Sequence, residues 1–288
     1  MKIAVCQLNI QFEEKEENIE RAREFMETAA EQRAELILFP EMSFTGFSMN
    51  TQKTGEYLCV EDCAVGTGED GKNAACAKAG GIFGGTSVRM KEFARRYHLA
   101  IGYGWVEKGT DGYVEGSLAK NHYTVIGENG DILGDYVKLH PFRYSGEHQY
   151  FAAGTDTQTF VYRGICFGMS ICYDLRFPEI YQQMSKTAHV ILVPANWPAV
   201  RTAQWRTLLM ARAIENQSYM IGINCYGTQE QQYYCGNSCV VTPQGEMEFE
   251  ICDAQGMQIY ELTDDVENMR AEFPVRQDRR PALYRTFY

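Results

Sequence analysis

The stretch IAVCQLNIQFEEKEENIERAREFMETAAEQRAELILFPE, residues 3–41, reads as one strand–helix–strand unit. Residues 3–8 form a short apolar run of strand length. Ile19, Ala22, Phe25, Met26 and Ala29 then recur at helical spacing among charged neighbours. A second apolar run, 36–39, ends abruptly at Pro40-Glu41. Such a unit builds a parallel sheet, whose functional groups gather at the carboxyl ends of its strands.

Outward from this unit the alternation continues. Residues 66–81 are rich in Gly and small residues and read as a loop or lid, with a helix to His98 after it. Next come a strand over 99–106 and a hairpin, 119–127 against 132–138, whose turn contains Asn129-Gly130, a strong hairpin signal. Strands follow over 159–163 and 165–171, separated by Arg163-Gly164, then a buried-type strand over 190–193. A helix over 203–217, a strand over 219–225 and a hairpin of 237–242 with 246–250 lead to a strand at 258–262 and a short helix at 266–270. No stretch reads as a linker and no repeat is visible, so one α/β domain spanning 1–288 is expected.

Composition narrows the function classes. The 288 residues are 45% hydrophobic and 23% charged, enough for an ordinary globular core. With 26 Gly and 8 Pro, disordered and fibrous classes are set aside. A net charge of -11 argues against nucleic acid or an anionic membrane as partner. The first apolar stretch runs straight into five glutamates within 13–20, unlike a signal peptide, and no run approaches a membrane span. A cytoplasmic protein is expected. Ten cysteines raise the question of zinc, but Cys59/Cys63 and Cys235/Cys239 lack histidines at finger-like spacing. No metal is expected.

Three strand ends carry chemistry. Cys172 closes the apolar run in GMSICYDLRFPEI (168–180), where a charged turn precedes Pro178 and a helix start. Nucleophiles are often presented at such a turn. Glu41 follows the run 36–40, and Lys138 follows Tyr136-Val137. In an open α/β sheet these positions converge on one crevice. A thiol, a carboxylate and an ammonium together make an acyl-transfer set: base, nucleophile and oxyanion stabiliser. Singly, each has a structural reading as a packed thiol or a solvated strand-end charge. His140, beside Lys138, also admits a Cys-His protease reading, which accounts for fewer of these residues.

Four segments, FPEMSFTGF (39–47), VKLHPF (137–142), GEHQYFAAG (146–154) and SICYDLRFPE (170–179), resemble the nitrilase superfamily of carbon–nitrogen hydrolases with a Glu-Lys-Cys triad. The match runs in order from 3 to about 284. The resemblance implies Glu41 as general base and acid, Lys138 as oxyanion stabiliser and Cys172 as nucleophile. It further implies Glu147 as an additional active-site glutamate and the Tyr173 backbone N–H as second oxyanion donor. The implied fold is a four-layer α-β-β-α sandwich, expected as a homodimer and without a cofactor.

True nitrilases of this superfamily carry Cys-Trp-Glu, whereas this chain has Cys172-Tyr173-Asp174 and resembles the omega-amidase branch. PANWPAVRTAQWRTLLMARAIEN (194–216) and FPVRQDRRPALY (273–284) resemble the same branch. The expected substrate is therefore a small linear omega-amide of a dicarboxylic or 2-oxo dicarboxylic acid, 2-oxoglutaramate-like, cleaved through a thioester to acid and ammonia. Its far carboxylate needs a cation: Arg176, with Arg143 and Arg201 as further candidates. The competing reading has Arg176 pair with Asp174 or Glu179 and brace the turn. Phe44, Phe142, Tyr144 and Trp197 are candidate pocket walls, each with a core reading beside it. An N-carbamoyl amine or amino-acid amidohydrolase would use the same triad, and a catalytically silent binding protein is a third reading.

Overall fold

Lys2–Gln7 (β1), Leu36–Leu38 (β2) and Ala100–Glu107 (β3) lie parallel, with helices Lys15–Glu31 (α1) and Thr86–Tyr97 (α2) in the connections. The computed structural model describes residues 1–57, 85–108, 118–263 and 265–287. The expected loop or lid at 66–81, and Cys59 and Cys63, lie outside the described residues. The antiparallel hairpin Lys120–Ile126 (β4) and Ile132–Val137 (β5) extends the sheet beyond β3.

The second half repeats the scheme. Gln158–Tyr162 (β6) pairs antiparallel with Ile165–Met169 (β7), which runs parallel to Val190–Ala195 (β8) and Tyr219–Asn224 (β9). Helices Pro178–Met184 (α3) and Thr202–Asn216 (α4) form the crossovers. Tyr226–Gln229 (β10) and Met247–Cys252 (β12) both pair with the long strand Gln232–Val241 (β11), which adds to β9. Gly256–Glu261 (β13) returns to the first sheet and pairs with β1, Ile3 opposite Tyr260. Val266–Glu272 (α5) follows.

Side-chain parity sets the layers. Ile3, Val5, Leu36 and Leu38 point inward and share one core cluster with Phe167, Met169 and Val190 of the second sheet. Their alternates Ala4, Cys6 and Ile37 point outward and pack with Ile19 and Met26 of α1 and Met90 and Ala94 of α2. Strands buried on both faces read as continuous apolar runs. On the far side, Trp205, Leu209 and Ala213 of α4 join the second sheet's core. The order is α-β-β-α, as expected.

The two sheets aim their strand ends at one edge of the sandwich. β2, β5, β7 and β8 terminate just before Glu41, Lys138, Cys172 and Asn196. Among the described residues, no helix is long and apolar enough to cross a membrane.

Candidate active site

Glu41 sits past the end of β2, fully buried. Its Oε1 accepts from Lys138 Nζ and Asn121 Nδ2, both at 2.8 Å, and its Oε2 from the Asn196 backbone N–H at 2.9 Å. The Asn196 side chain donates to the Glu41 carbonyl at 2.7 Å, so the end of β8 grips this residue twice. Gly104 of β3 lets the chain pass: a Cβ there would stand 2.3 Å from the Met42 nitrogen and 3.0 Å from Glu41 Cα.

Lys138 and Glu147 complete the cluster. Lys138 Nζ donates to Glu147 Oε1 and Oε2 at 3.0 and 2.9 Å. Glu147 lies in a 3-10 turn, Glu147–Gln149, and also accepts from the Phe142 amide at 2.5 Å and from Asn121 Nδ2 at 3.2 Å. One ammonium thus faces two carboxylates, all three almost wholly buried. Burial pulls the Lys138 ammonium down, but Glu147 and then Glu41 overcome it, and the net shift is upward. Burial lifts the Glu147 carboxyl above its usual range, with Lys138 opposing and the Glu41 charge adding to the rise.

Cys172 opens the 3-10 turn Cys172–Arg176 in a left-handed conformation, φ 47°. A non-glycine residue held there is strained and must be over-determined by its surroundings. Asp174 supplies that constraint. Buried at 0% exposure, it accepts from the Ile171 amide at 3.0 Å, Tyr136 Oη at 2.8 Å, and the His140 amide and Nδ1 at 3.0 and 2.7 Å. The turn is thereby tied to the strand end that carries Lys138. His140 is engaged by Asp174 and stacks on Phe177 at 3.8 Å, so it is not paired with the thiol. Burial and then the Glu41 carboxylate push the Cys172 thiol up, with Lys138 opposing. A thiol raised in this way is a weak nucleophile unless a neighbouring base takes its proton. The Tyr173 N–H donates to no acceptor among the described residues.

Cys172 and Lys138 open into a cavity of about 240 Å³, also lined by Phe142, Tyr144, Tyr173, Arg176, Trp197 and Arg201. This is small beside the roughly 300–1,000 Å³ of clefts for drug-sized ligands, and suits a small one. Phe44 is not among the walls. It is 2% exposed and packs in the outer core, 6.2 Å from both Phe39 and Tyr103. The turn at Gly46, φ 71°, re-aims the chain so that Phe47 lines the cavity instead, 5.4 Å from Lys138 Nζ. Arg143 does not line it either. Arg176 pairs with neither Asp174 nor Glu179: it donates to Gln204 Oε1 at 2.5 Å and lies over Trp197 at 4.9 Å.

The Carbon-nitrogen hydrolase family matches residues 2–271. The chain belongs to the carbon-nitrogen hydrolase family. This carbon–nitrogen hydrolase is 29% identical to a 2-oxoglutaramate amidase of Bacillus subtilis (strain 168), over 98% of each chain. It is 36% identical to the omega-amidase YafV of Yersinia enterocolitica over 59% of this chain and 69% of that protein. Its fold matches that of XC1258 from Xanthomonas campestris, a CN-hydrolase superfamily protein, with a TM-score of 0.80 at 24% identity over 97% of both chains.

Several residues at the site escaped the sequence reading. Asn121, 1% exposed on β4, bridges Glu41 and Glu147 through its amide nitrogen while its Oδ1 has no partner among the described residues. An orphaned buried carbonyl costs about 1–3 kcal/mol, so the side chain is retained for its donor. Its signal was faint: a single polar residue between Lys120 and His122 in a strand. Gln229 donates to Asn196 Oδ1 at 3.0 Å and accepts from the Phe47 amide at 3.0 Å, fixing the layer behind Glu41. Among the described residues, no three His, Cys, Asp or Glu side chains stand together as metal ligands.

Proposed function

We propose that this carbon–nitrogen hydrolase is a cysteine-dependent amidase acting on a small linear omega-amide with a carboxylate at its far end. One observation carries the reading: a buried ammonium held between two carboxylates, beside a buried thiol on a strained turn, in a cavity with arginines in its wall.

The steps follow from the groups present. Glu41 takes the Cys172 proton as the sulfur attacks the amide carbon, forming the C–S bond. The oxyanion is received by Lys138 and the Tyr173 N–H. The intermediate collapses with cleavage of the C–N bond, and Glu41 returns its proton to the nitrogen, which leaves as ammonia. A water, deprotonated by Glu41, then attacks the thioester, and the acid departs as the thiol is restored. Glu147 holds Lys138 throughout, and Asn121 holds both carboxylates. Losing one oxyanion donor from such a site costs on the order of 100- to 1,000-fold in turnover.

Arg176 supports a carboxylate-bearing substrate, since it lines the cavity and has no carboxylate partner among the described residues. Similarity to proteins named 2-oxoglutaramate amidase and omega-amidase points the same way. The test is ammonia release from 2-oxoglutaramate, succinamate, asparagine, glutamine and N-carbamoyl compounds, with Cys172→Ala as control. Release by the wild type from the omega-amides, absent in the variant, is expected. Carbon dioxide released with the ammonia would instead indicate a carbamoyl substrate, and no release from any of them would end the amidase reading.

A further inference from the structure

The catalytic steps make no use of Arg201. It closes the 3-10 turn Ala199–Arg201 just before α4 and lines the cavity together with Arg176. Both guanidinium groups are laid over aromatic rings. Arg176 lies 4.9 Å from the Trp197 centroid and 5.8 Å from that of Tyr173; Arg201 lies 5.5 Å from Phe142 and 5.4 Å from Tyr144. The chain as a whole carries a net charge of -11, yet among the described residues neither arginine has a carboxylate partner. Glu230, a carboxylate that also lines the cavity, forms an ion pair with neither among the described residues.

The two arginines differ in what their N–H groups do. Arg176 has one engaged by Gln204 Oε1 at 2.5 Å. The Arg201 guanidinium meets no hydrogen-bond acceptor among the described residues, although the residue is half-buried. Its main chain is well held: its carbonyl accepts from Trp197 Nε1 at 2.9 Å and its amide donates to Pro198 at 2.9 Å. A purely structural role would be to brace the cavity rim by stacking on Phe142 and Tyr144. These ring contacts engage the positive charge and supply no hydrogen-bond acceptor of the ordinary kind to its five donors. A guanidinium beside aromatic rings, with its fork of donors open, suits a bidentate carboxylate.

The position relative to the thiol is suitable. Tyr173 follows the nucleophile directly, its ring lies 4.7 Å from Phe142, and Phe142 lies beneath Arg201. A wall of two rings therefore leads from the reacting sulfur to the free guanidinium.

We infer that Arg201 is an anion anchor of this pocket, a second guanidinium beside Arg176 that receives the far carboxylate of the omega-amide. The inference rests on the amidase reading of the same cavity. It makes Arg201 a specificity residue: a substrate with a neutral far end leaves these donors unpaired, which is how a polar site rejects an analogue lacking the matching group.

The test compares two amides of equal length that differ in far-end charge, glutaramate and pentanamide, by kcat/KM for wild type, Arg201→Met and Arg176→Met. Arg201→Met lowers the glutaramate-to-pentanamide ratio by at least about 10-fold, chiefly through KM for glutaramate. Arg201→Lys, which keeps the charge but loses the fork, lowers it by less. An unchanged ratio in Arg201→Met, or a preference lost in Arg176→Met alone, overturns the inference. A second arm needs no turnover: glutarate binding to Cys172→Ala, by calorimetry, weakens at least about 10-fold when Arg201→Met is added. Equal binding with and without that substitution also overturns it. A wild type that cleaves neither amide contradicts the amidase reading, while the binding arm still decides Arg201.

Discussion

Replacing Lys138 by methionine removes the charge at the centre of the site while keeping most of the side-chain volume. The ammonium makes three contacts, at 2.8, 2.9 and 3.0 Å, to two carboxylates with 0% exposure. Removing one partner of a buried ion pair costs roughly 3–5 kcal/mol. Here each carboxylate keeps two donors: Asn121 and the Asn196 amide for Glu41, Asn121 and the Phe142 amide for Glu147. The lower end of that range is therefore expected, a fall of about 5 °C in melting temperature for a protein of this size. The loss must also depend on pH. Glu147 already lies above the ordinary carboxylate value of 4.5 because burial outweighs Lys138, and losing the ammonium raises it further. A carboxyl whose folded-state pKa is raised leaves stability intact below the unfolded value and lowers it as pH climbs through the folded one. The deficit of Lys138→Met relative to wild type should thus be small near pH 5 and largest near pH 8. Differential scanning fluorimetry across that range, with ammonia release in parallel, reads both effects. An equal deficit at both pH values, no deficit at all, or turnover within tenfold of wild type would refute the reasoning.

Other consequences are as direct. Asn121→Asp keeps the shape but replaces a donor shared by Glu41 and Glu147 with a third carboxyl. It should lower kcat/KM by about 10- to 100-fold and move the acid limb of its pH profile upward, and an unmoved limb would contradict the bridging role. Gly104→Ala forces a methyl against the Met42 nitrogen and Glu41 backbone, so Glu41 must shift. Activity should fall further than the loss of melting temperature explains, whereas a fully active variant would show that the close approach has slack. The Cys172 thiol, pushed up first by burial, should show no thiolate step at 240 nm between pH 5 and 9 in the wild-type minus Cys172→Ala difference. A step near pH 6 would instead indicate a pre-formed thiolate.

Much of this architecture was legible because parallel strands buried on both faces leave unbroken apolar runs, as at 36–39 and 190–193. The same property hid the layering. Ile3 and Ala4 are both apolar, so the pattern does not say which faces the second sheet and which faces α1. β10 was missed because Tyr226–Gln229 is a polar edge segment, and the return of β13 to β1 is a pairing between distant parts of the chain. At the site, strand ends announced Glu41, Lys138 and Cys172, since charge or sulfur breaks an apolar run there. Asn121 sits inside a strand and breaks no run. Phe44 is the wall candidate the sequence suggests, but the left-handed Gly46 after it turns Phe47 to the cavity instead. Asp174, which in the sequence enters only as one alternative partner for Arg176, accepts from the Ile171 amide and anchors the turn that carries Cys172.

The bond proposed between Cys172 and the acyl group can be detected directly. Wild type turning over an omega-amide should be acid-quenched and its peptides weighed. The peptide containing Cys172 should carry the mass of the acyl group as a hydroxylamine-labile thioester, and the same peptide from Cys172→Ala should carry none. Ammonia release at the wild-type rate by Cys172→Ala, or an acyl group trapped on another residue, would contradict it.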